Sequence, residues 1–228
     1  MRYVLGSRAS IGGVLGSGRG GAVAAWYLSG GVSAANCVAA YAPKGAASLA
    51  ASYTNLANPG TYTAAPGVAP TFDTATGWTF AASAYLTTGI TPANDRSWSM
   101  IVRYTNAAAN VNNILAGSYV TPDNGFFLRP LSTTGVNYAN GNGNTKVMPG
   151  LAAGVLCVAG LAGYRSGTAE ATLTGAAPSP TVAIMIGALN FSGSPIQAFV
   201  GKIQAIAIYN TTLTAPQVAA ISSAMSAL

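Results

Sequence analysis

The chain has 228 residues, of which 50% are hydrophobic and only 6% are charged, with a formal net charge of +6. This charged fraction is far below the roughly 25% of ordinary soluble domains, and the high apolar content excludes an intrinsically disordered chain. A surface made of Ser, Thr, Asn and Gly suits a protein that packs against other chains or contacts a neutral polymer such as a glycan.

The basic residues lie scattered along the chain, with a small group only among the first twenty residues. A nucleic-acid-binding surface needs such residues on one face, with aromatic residues between them. The pattern therefore argues against nucleic acid as a partner.

Residues 1–25 are rich in glycine and predict an extended arm in front of a single domain, residues 26–228. Gly, Ser and Arg side chains interrupt every apolar run of the arm, whereas a secretory signal needs about 7–15 unbroken apolar residues. No stretch reaches the ~18 apolar residues of a membrane span. We therefore expect neither a signal peptide nor a membrane anchor. The candidates for docking the arm on a partner are Arg2, Tyr3, Arg8 and Arg19.

The region from residue 26 to residue 70 is rich in alanine and proline, which predicts irregular, extended backbone with one short helix within residues 45–53. Cys37 lies in this region and Cys157 lies far downstream, each in a run of small apolar residues. Such surroundings favour two buried free thiols. A disulfide between them stays open as an alternative.

Strand patterns dominate from residue 77 onward. Within residues 97–105 the large apolar side chains recur at every second position, which is typical of a half-buried strand; they are Trp98, Met100, Val102 and Tyr104. Residues 182–189 and 199–209 are apolar on both faces, as expected of central strands. About ten short strands separated by turns predict an all-β, two-layer antiparallel jelly-roll sandwich.

Two further segments give local signals. Residues 137–144 contain two Asn-Gly pairs, which predict a turn. Thr214 and Gln217 have the spacing of a capping box, with Pro216 in the first turn, and predict a short C-terminal helix. Its apolar stripe is expected to face the sandwich and to seal one end of the core; it consists of Val218, Ile221, Met225 and Leu228.

Several of these segments together resemble the laminin-G-like, concanavalin A-like jelly-roll family, over about residues 72–228. The segments are Gly201-Lys202-Ile203, Ile208-Tyr209-Asn210, Leu213-Thr214 with Gln217-Val218, Ile184-Met185-Ile186-Gly187, Ser97-Trp98-Ser99-Met100, and Tyr164-Arg165-Ser166-Gly167. The resemblance implies the fold. It does not imply one function, because this fold is shared by lectins, glycanases, adhesion modules and virion proteins.

Catalytic groups are scarce. Glycoside cleavage needs two carboxylates about 5–10 Å apart, and the four acids, Asp73, Asp95, Asp123 and Glu170, do not pair on any strand. A serine or cysteine triad lacks its base because the chain has no histidine. We therefore expect no enzyme activity and no cofactor. A calcium site is an open alternative with Asp95, Asp123 and Asn124 as its donors, although each of them more simply caps a turn.

Carbohydrate binding needs an exposed aromatic side chain beside polar groups. The candidates are Tyr138, Asn140 and Asn142 in the Asn-Gly segment, and Tyr164 with Arg165. The competing interpretation, which we favour, is that these segments are hairpin turns with packing tyrosines.

Two functions follow as hypotheses. The first is a bacteriophage virion structural or decoration protein, a homo-oligomer assembled in the host cytoplasm and docked on capsid or tail. It rests on the charge-poor surface, the arm and the resemblance to laminin-G-like virion proteins. The alternative is a lectin-like module that binds a glycan.

Overall fold

The computed structural model describes residues 25–93, 96–109, 113–121, 124–131, 135–141, 143–175 and 180–228. The residues of the predicted arm, including Arg2, Tyr3, Arg8 and Arg19, lie outside these ranges. So do Asp95, Asp123 and Asn142.

Within the described residues the chain forms seventeen strands, most of them short. The first nine are β1 (Cys37–Tyr41), β2 (Ala65–Val68), β3 (Thr71–Asp73), β4 (Gly77–Phe80), β5 (Tyr85–Thr87), β6 (Ser99–Thr105), β7 (Ala116–Tyr119), β8 (Gly125–Leu131) and β9 (Gly135–Gly141). The others are β10 (Gly143–Val147), β11 (Gly154–Ala159), β12 (Ala162–Arg165), β13 (Thr168–Thr172), β14 (Met185–Ile186), β15 (Leu189–Phe191), β16 (Ser194–Ile196) and β17 (Gly201–Tyr209).

The strands form two sheets. The first has the order β13-β12-β11-β6-β17-β4-β3, and β1 also pairs with β17. The second has the order β10-β9-β8-β7-β14-β5-β2, with β15 and β16 attached at β7. All pairs of these seventeen strands are antiparallel except β15 with β7. The predicted two-layer antiparallel sandwich is confirmed.

The core between the sheets contains the side chains predicted to be buried on β6. Met100, Val102 and Tyr104 belong to it, together with Trp98 just before the strand. From β17 it receives Ile203, Ile206 and Ile208. The alternation that predicted β6 therefore corresponds to its two faces.

Four helices complete the described fold: the 3-10 helices Trp26–Leu28 and Ala34–Asn36, and the α-helices α1 (Leu49–Ser52) and α2 (Ala215–Ser226). The predicted cap of α2 is present, because Gln217 Oε1 accepts a hydrogen bond from the backbone N–H of Thr214 at 3.0 Å. No helix within the described ranges is long and apolar enough to span a lipid bilayer.

The position of α2 corrects one expectation. Val218, Ile221 and Met225 are fully buried, but they pack on the outer face of the first sheet and not against one end of the core between the sheets. They meet Ile101 of β6 and Tyr209 of β17 there. This second cluster explains why β17 is apolar on both faces.

Cys37 and Cys157 both lie in this second cluster, where they are buried free thiols. The interpretation as free thiols is confirmed, and the alternative of a disulfide is wrong. Burial raises the pKa of the Cys37 thiol to about 12 and also raises the pKa of Cys157.

The region before residue 70 differs from the expectation of irregular backbone. It contributes β1, which pairs with β17 from Cys37↔Tyr209 to Tyr41↔Ile206. Most side chains of β1 are buried. In an alanine-rich strand the small side chains give only a weak alternation in hydrophobicity, and a strand buried on both faces does not alternate between polar and apolar residues. The sequence pattern therefore does not reveal β1.

Candidate functional site

The outer face of the second sheet carries a small aromatic cluster that is partly open to solvent. Its buried members within the described residues are Ile114, Phe127, Ala139 and Leu189, with Tyr119 packed against them. Phe191 borders this cluster and remains 39% exposed. Large apolar side chains that stay accessible on a sheet face are a common feature of binding surfaces.

Strand alternation places these rings on the outer face. On β8, Phe126 and Leu128 enter the core between the sheets, so Phe127 and Arg129 point the other way. On β7, Gly117 lies opposite Phe127, and Tyr119 lies opposite Gly125.

The two glycines make room for the rings. A Cβ atom at Gly117 would lie 2.3 Å from Phe127 Cβ, and one at Gly125 would lie 3.0 Å from Tyr119 Cδ2. Glycine at these positions therefore lets the two aromatic side chains lie close to the sheet.

The hairpin of β15 and β16 completes the cluster. Because β15 runs parallel to β7, Phe191 lies beside Tyr119. The two ring centroids are 5.6 Å apart with an interplanar angle of 33°, and Tyr119 also meets Phe127 edge-on at 6.4 Å. Ile196 and Gln197 border the same space.

These side chains line a pocket of about 190 Å³. Its lining residues are Tyr119, Phe127, Arg129, Leu189, Phe191, Ile196 and Gln197. The volume is smaller than the roughly 300–1,000 Å³ of sites for drug-sized ligands. The pocket therefore suits a small group such as one ring of a larger ligand.

Arg129 supplies the charge of this pocket. Its guanidinium carbon lies 5.5 Å from the centre of the Phe127 ring, and its Nη2 donates a hydrogen bond to Gln197 Oε1. Its Nε is buried and has no hydrogen-bond partner among the described residues. Burial lowers the pKa of Arg129, yet an arginine stays protonated in proteins. The pocket thus holds a cation with a free donor.

Two polar residues extend the site across the sheet. Arg129 pairs with Asn137 on β9, and Asn137 pairs with Lys146 on β10. Directly opposite residues share one face, so the side chains of Arg129, Asn137 and Lys146 form a row across the three strands. The Oδ1 atom of Asn137 is buried without a partner in the described part of the chain, and Lys146 is exposed.

Tyr138 and Asn140, two predicted glycan contacts, are 0% and 1% exposed. Tyr138 is therefore not the exposed aromatic side chain that glycan binding at this candidate position would need. The physical reason is that β9 continues to Gly141, so Tyr138 lies within the strand and points between the sheets. Asn140 Nδ2 donates to the backbone oxygen of Gly160 at 2.9 Å.

The structure does bring Tyr138, Tyr164 and Arg165 together. The Tyr138 hydroxyl donates to Glu170 Oε1 at 2.6 Å and to the Tyr164 backbone oxygen at 3.1 Å. Arg165 Nε lies 2.6 Å from Glu170 Oε2. Burial, followed by the hydrogen bond to Glu170, raises the pKa of Tyr138.

This group links β9 of the second sheet to β12 and β13 of the first. Tyr164 is only 7% exposed and packs in the cluster under α2. The favoured interpretation of packing tyrosines therefore describes Tyr138 and Tyr164. Neither ring offers a face on which a sugar could stack.

The acids give no metal site within the described residues, where no group of three or more His, Cys, Asp or Glu side chains comes together. Asp73 closes a turn, since its Oδ1 accepts the backbone N–H groups of Ala75 and Thr76, each at 3.0 Å. Two of the three predicted calcium donors, Asp95 and Asp123, lie outside the described ranges, so the calcium alternative stays untested.

A larger pocket of about 630 Å³ lies beside the first sheet, between Trp26, Tyr27, Leu56 and several alanines. Its cation, Lys44, donates to the backbone oxygen of Leu228. The pocket extends to Ala25, where the described chain begins. Its two rings, Trp26 and Tyr27, meet edge-on with centroids 5.6 Å apart, and Trp26 Nε1 is buried without a partner among the described residues.

No protein-family model matches the sequence, and no curated protein matches it. Among solved structures, domain 4 of AbnA, a GH43 extracellular arabinanase from Geobacillus stearothermophilus in complex with arabinotriose, aligns with a TM-score of 0.52 and 15% identity. The alignment covers 82% of this chain and 98% of that domain.

A mutant of Trypanosoma rangeli sialidase that displays trans-sialidase activity aligns with a TM-score of 0.55 and 13% identity. The alignment covers 85% of this chain but only 34% of the sialidase. At these identities the likeness establishes the β-sandwich fold. Neither of these two proteins is a virion protein, so the virion hypothesis stays a prediction.

Sequence patterns alone did not reveal the residues of the aromatic pocket. Residues 113–119 and 126–132 belong to the strand-rich region after residue 77, and their sequence pattern predicts strands but no site. One signal was available: on β8, Phe127 and Arg129 occupy the face opposite Phe126 and Leu128. An aromatic residue and an arginine two positions apart on the outer face of a sandwich strand indicate a candidate binding surface.

Proposed function

We propose that this protein is a glycan-binding module that holds one sugar ring in the aromatic pocket on the outer face of its second sheet. The observation that carries the proposal is the Tyr119–Phe191 ring pair beside Arg129 and Gln197. The proposal is one of binding without catalysis.

The chemistry of the pocket fits a sugar. A pyranose or furanose ring has an apolar face of C–H groups and an edge of hydroxyl groups. Tyr119 and Phe191 give an apolar surface, and the hydroxyl of Tyr119 adds a polar group. Arg129 and Gln197 line the pocket and can form hydrogen bonds to sugar oxygens.

The composition supports the same proposal. Only 6% of the residues are charged, and a surface of hydroxyl and amide side chains is compatible with a polymer of hydroxyl groups. The likeness to the arabinanase domain, which was solved with arabinotriose, supports a fold suited to glycan binding. That bound sugar belongs to the arabinanase domain and does not identify the ligand of this chain.

A glycan array followed by isothermal titration calorimetry tests the proposal. The array contains neutral oligosaccharides, arabinotriose among them, and acidic ones. We expect Phe191→Ala and Tyr119→Ala to weaken binding of the best sugar roughly 2- to 10-fold each, from about 0.5–1.5 kcal/mol per aromatic contact.

Two variants serve as controls. Tyr62→Ala removes an exposed tyrosine that does not line the pocket, and Tyr138→Phe removes the hydroxyl of a buried one. Both should bind as the unmodified protein does. An array without any binding sugar, or equal losses in Tyr62→Ala and Phe191→Ala, would contradict the proposal.

A further inference from the structure

We infer that the aromatic pocket selects sugars that carry a carboxylate, such as uronic or sialic acids, with Arg129 as the residue that determines this specificity. The inference rests on the proposed function. It specifies the chemical class of the ligand that the pocket would bind.

The distribution of charge favours an anionic ligand at Arg129. The two acids of the described chain, Asp73 on β3 and Glu170 on β13, both belong to the first sheet. Glu170 is already paired with Arg165. Arg129 instead contacts a neutral amide and an aromatic ring. A partly buried cation is costly when no anion lies beside it, as is the case for Arg129 among the described residues, and a bound carboxylate would remove that cost.

The geometry of Arg129 suits a carboxylate. A guanidinium group has five N–H donors in a planar fork that matches the two oxygens of a carboxylate. Gln197 accepts from Nη2 of Arg129, while Nε is buried and has no acceptor within the described ranges. The side chain is therefore held in place by Gln197 and Phe127.

The surroundings of Arg129 add a second positive charge. Strand register places Lys146 in the same row, with Asn137 between them. The sequence scatters its basic residues, but the sheet gathers these two on the face that carries the pocket. An anionic sugar at Arg129 would also gain from the exposed charge of Lys146, in a salt-dependent way.

Pairs of sugars that differ in their carboxylate test the inference. Trigalacturonic acid is compared with its methyl ester, and α2,3-sialyllactose with the methyl ester of its sialic acid, by titration calorimetry at low ionic strength. We expect each acid to bind about tenfold or more tightly than its neutral partner, because hydrogen bonds between ionised groups are stronger than neutral ones. The two pairs distinguish a uronic acid from a sialic acid as the source of the carboxylate.

Substitutions of three basic residues test which side chain produces the preference for the acidic sugar. Arg129→Gln should abolish the preference for the acid while it retains the weaker binding of the neutral partner. Arg129→Lys keeps the charge without the planar fork and should restore part of the preference. Lys146→Gln should reduce the preference about twofold, whereas Lys202→Gln, on the first sheet, should leave it unchanged.

The outcomes separate the two proposals. If neutral sugars bind through Phe191 and the acids bind no better, the carboxylate inference is wrong and the glycan proposal stands. The carboxylate inference is equally wrong if Arg129→Gln, shown to be folded by circular dichroism, keeps the preference. A stronger preference for sulfated sugars would also overturn it. If no sugar binds at all, the proposed function itself is wrong.

Discussion

The outer faces of the two sheets differ in what covers them. On the first sheet, α2 packs over Ile101 and Tyr209, and the resulting cluster is closed by Trp26. On the second sheet, Tyr119 and Phe191 remain partly accessible. A sandwich needs only its inner faces for a common core, so each outer face is available either for further packing or for binding.

The side chains on the two outer faces differ in size, as expected for packing on the first sheet and for binding on the second. Small residues on the first sheet, Ala205 and Ala207 of β17 among them, allow a helix to approach closely. On the second sheet, glycines at 117 and 125 instead provide room for large rings beside a cation. The covered face therefore contributes stability, whereas the open face can specify a ligand.

The largest effect is expected from a cavity on the covered face. Ile221→Ala removes a fully buried side chain of α2 and should lower the free energy of unfolding by about 2–5 kcal/mol. Urea denaturation measures this loss. Sugar binding in the aromatic pocket should persist where the variant is folded, and a loss below about 0.5 kcal/mol would show that α2 is not part of the cooperative fold.

A moderate effect is expected at alkaline pH, also on the covered face. Burial raises the pKa of Cys37 from 9.0 to about 12, so between these values the unfolded chain has lost a proton that the folded chain retains. Stability should therefore be constant below about pH 9 and fall as the pH rises, by roughly 1 kcal/mol per pH unit for this thiol.

Urea midpoints measured between about pH 8 and 9.5 test this, because about half of the tyrosines of the unfolded chain are ionised at pH 10. The variant Cys37→Ala should show a smaller fall over this interval, although its stability at neutral pH is lower. Equal pH dependence in both proteins would mean that the thiol of Cys37 is accessible to water.

The smallest effect on stability is expected on the open face. Phe191 is 39% exposed, so Phe191→Ala should change the free energy of unfolding by no more than about 0.5 kcal/mol, while it weakens sugar binding. Thermal melts and calorimetry on the same preparation measure both. A loss of several kcal/mol would mean that the open face, too, serves packing.

Much of the fold could be predicted because its signals are local. The alternation of Met100, Val102 and Tyr104 predicted β6, and the capping residues Thr214 and Gln217 predicted the start of α2. Tyr138 shows where local patterns fail. Two Asn-Gly pairs predicted a turn through residues 137–144, but pairing of β9 with β8 and β10 extends the strand to Gly141 and buries the ring.

The sequence by itself determined the class of fold, the positions of strands such as β6 and β17 and the C-terminal helix, since these follow from side-chain periodicity within short segments. Only the tertiary structure decided which outer face α2 covers and which face stays open. It also decided the site, because Arg129 meets Gln197 across 68 residues of sequence and Phe191 meets Tyr119 through a parallel strand pair. Such contacts depend on strand order and register, which no local pattern contains.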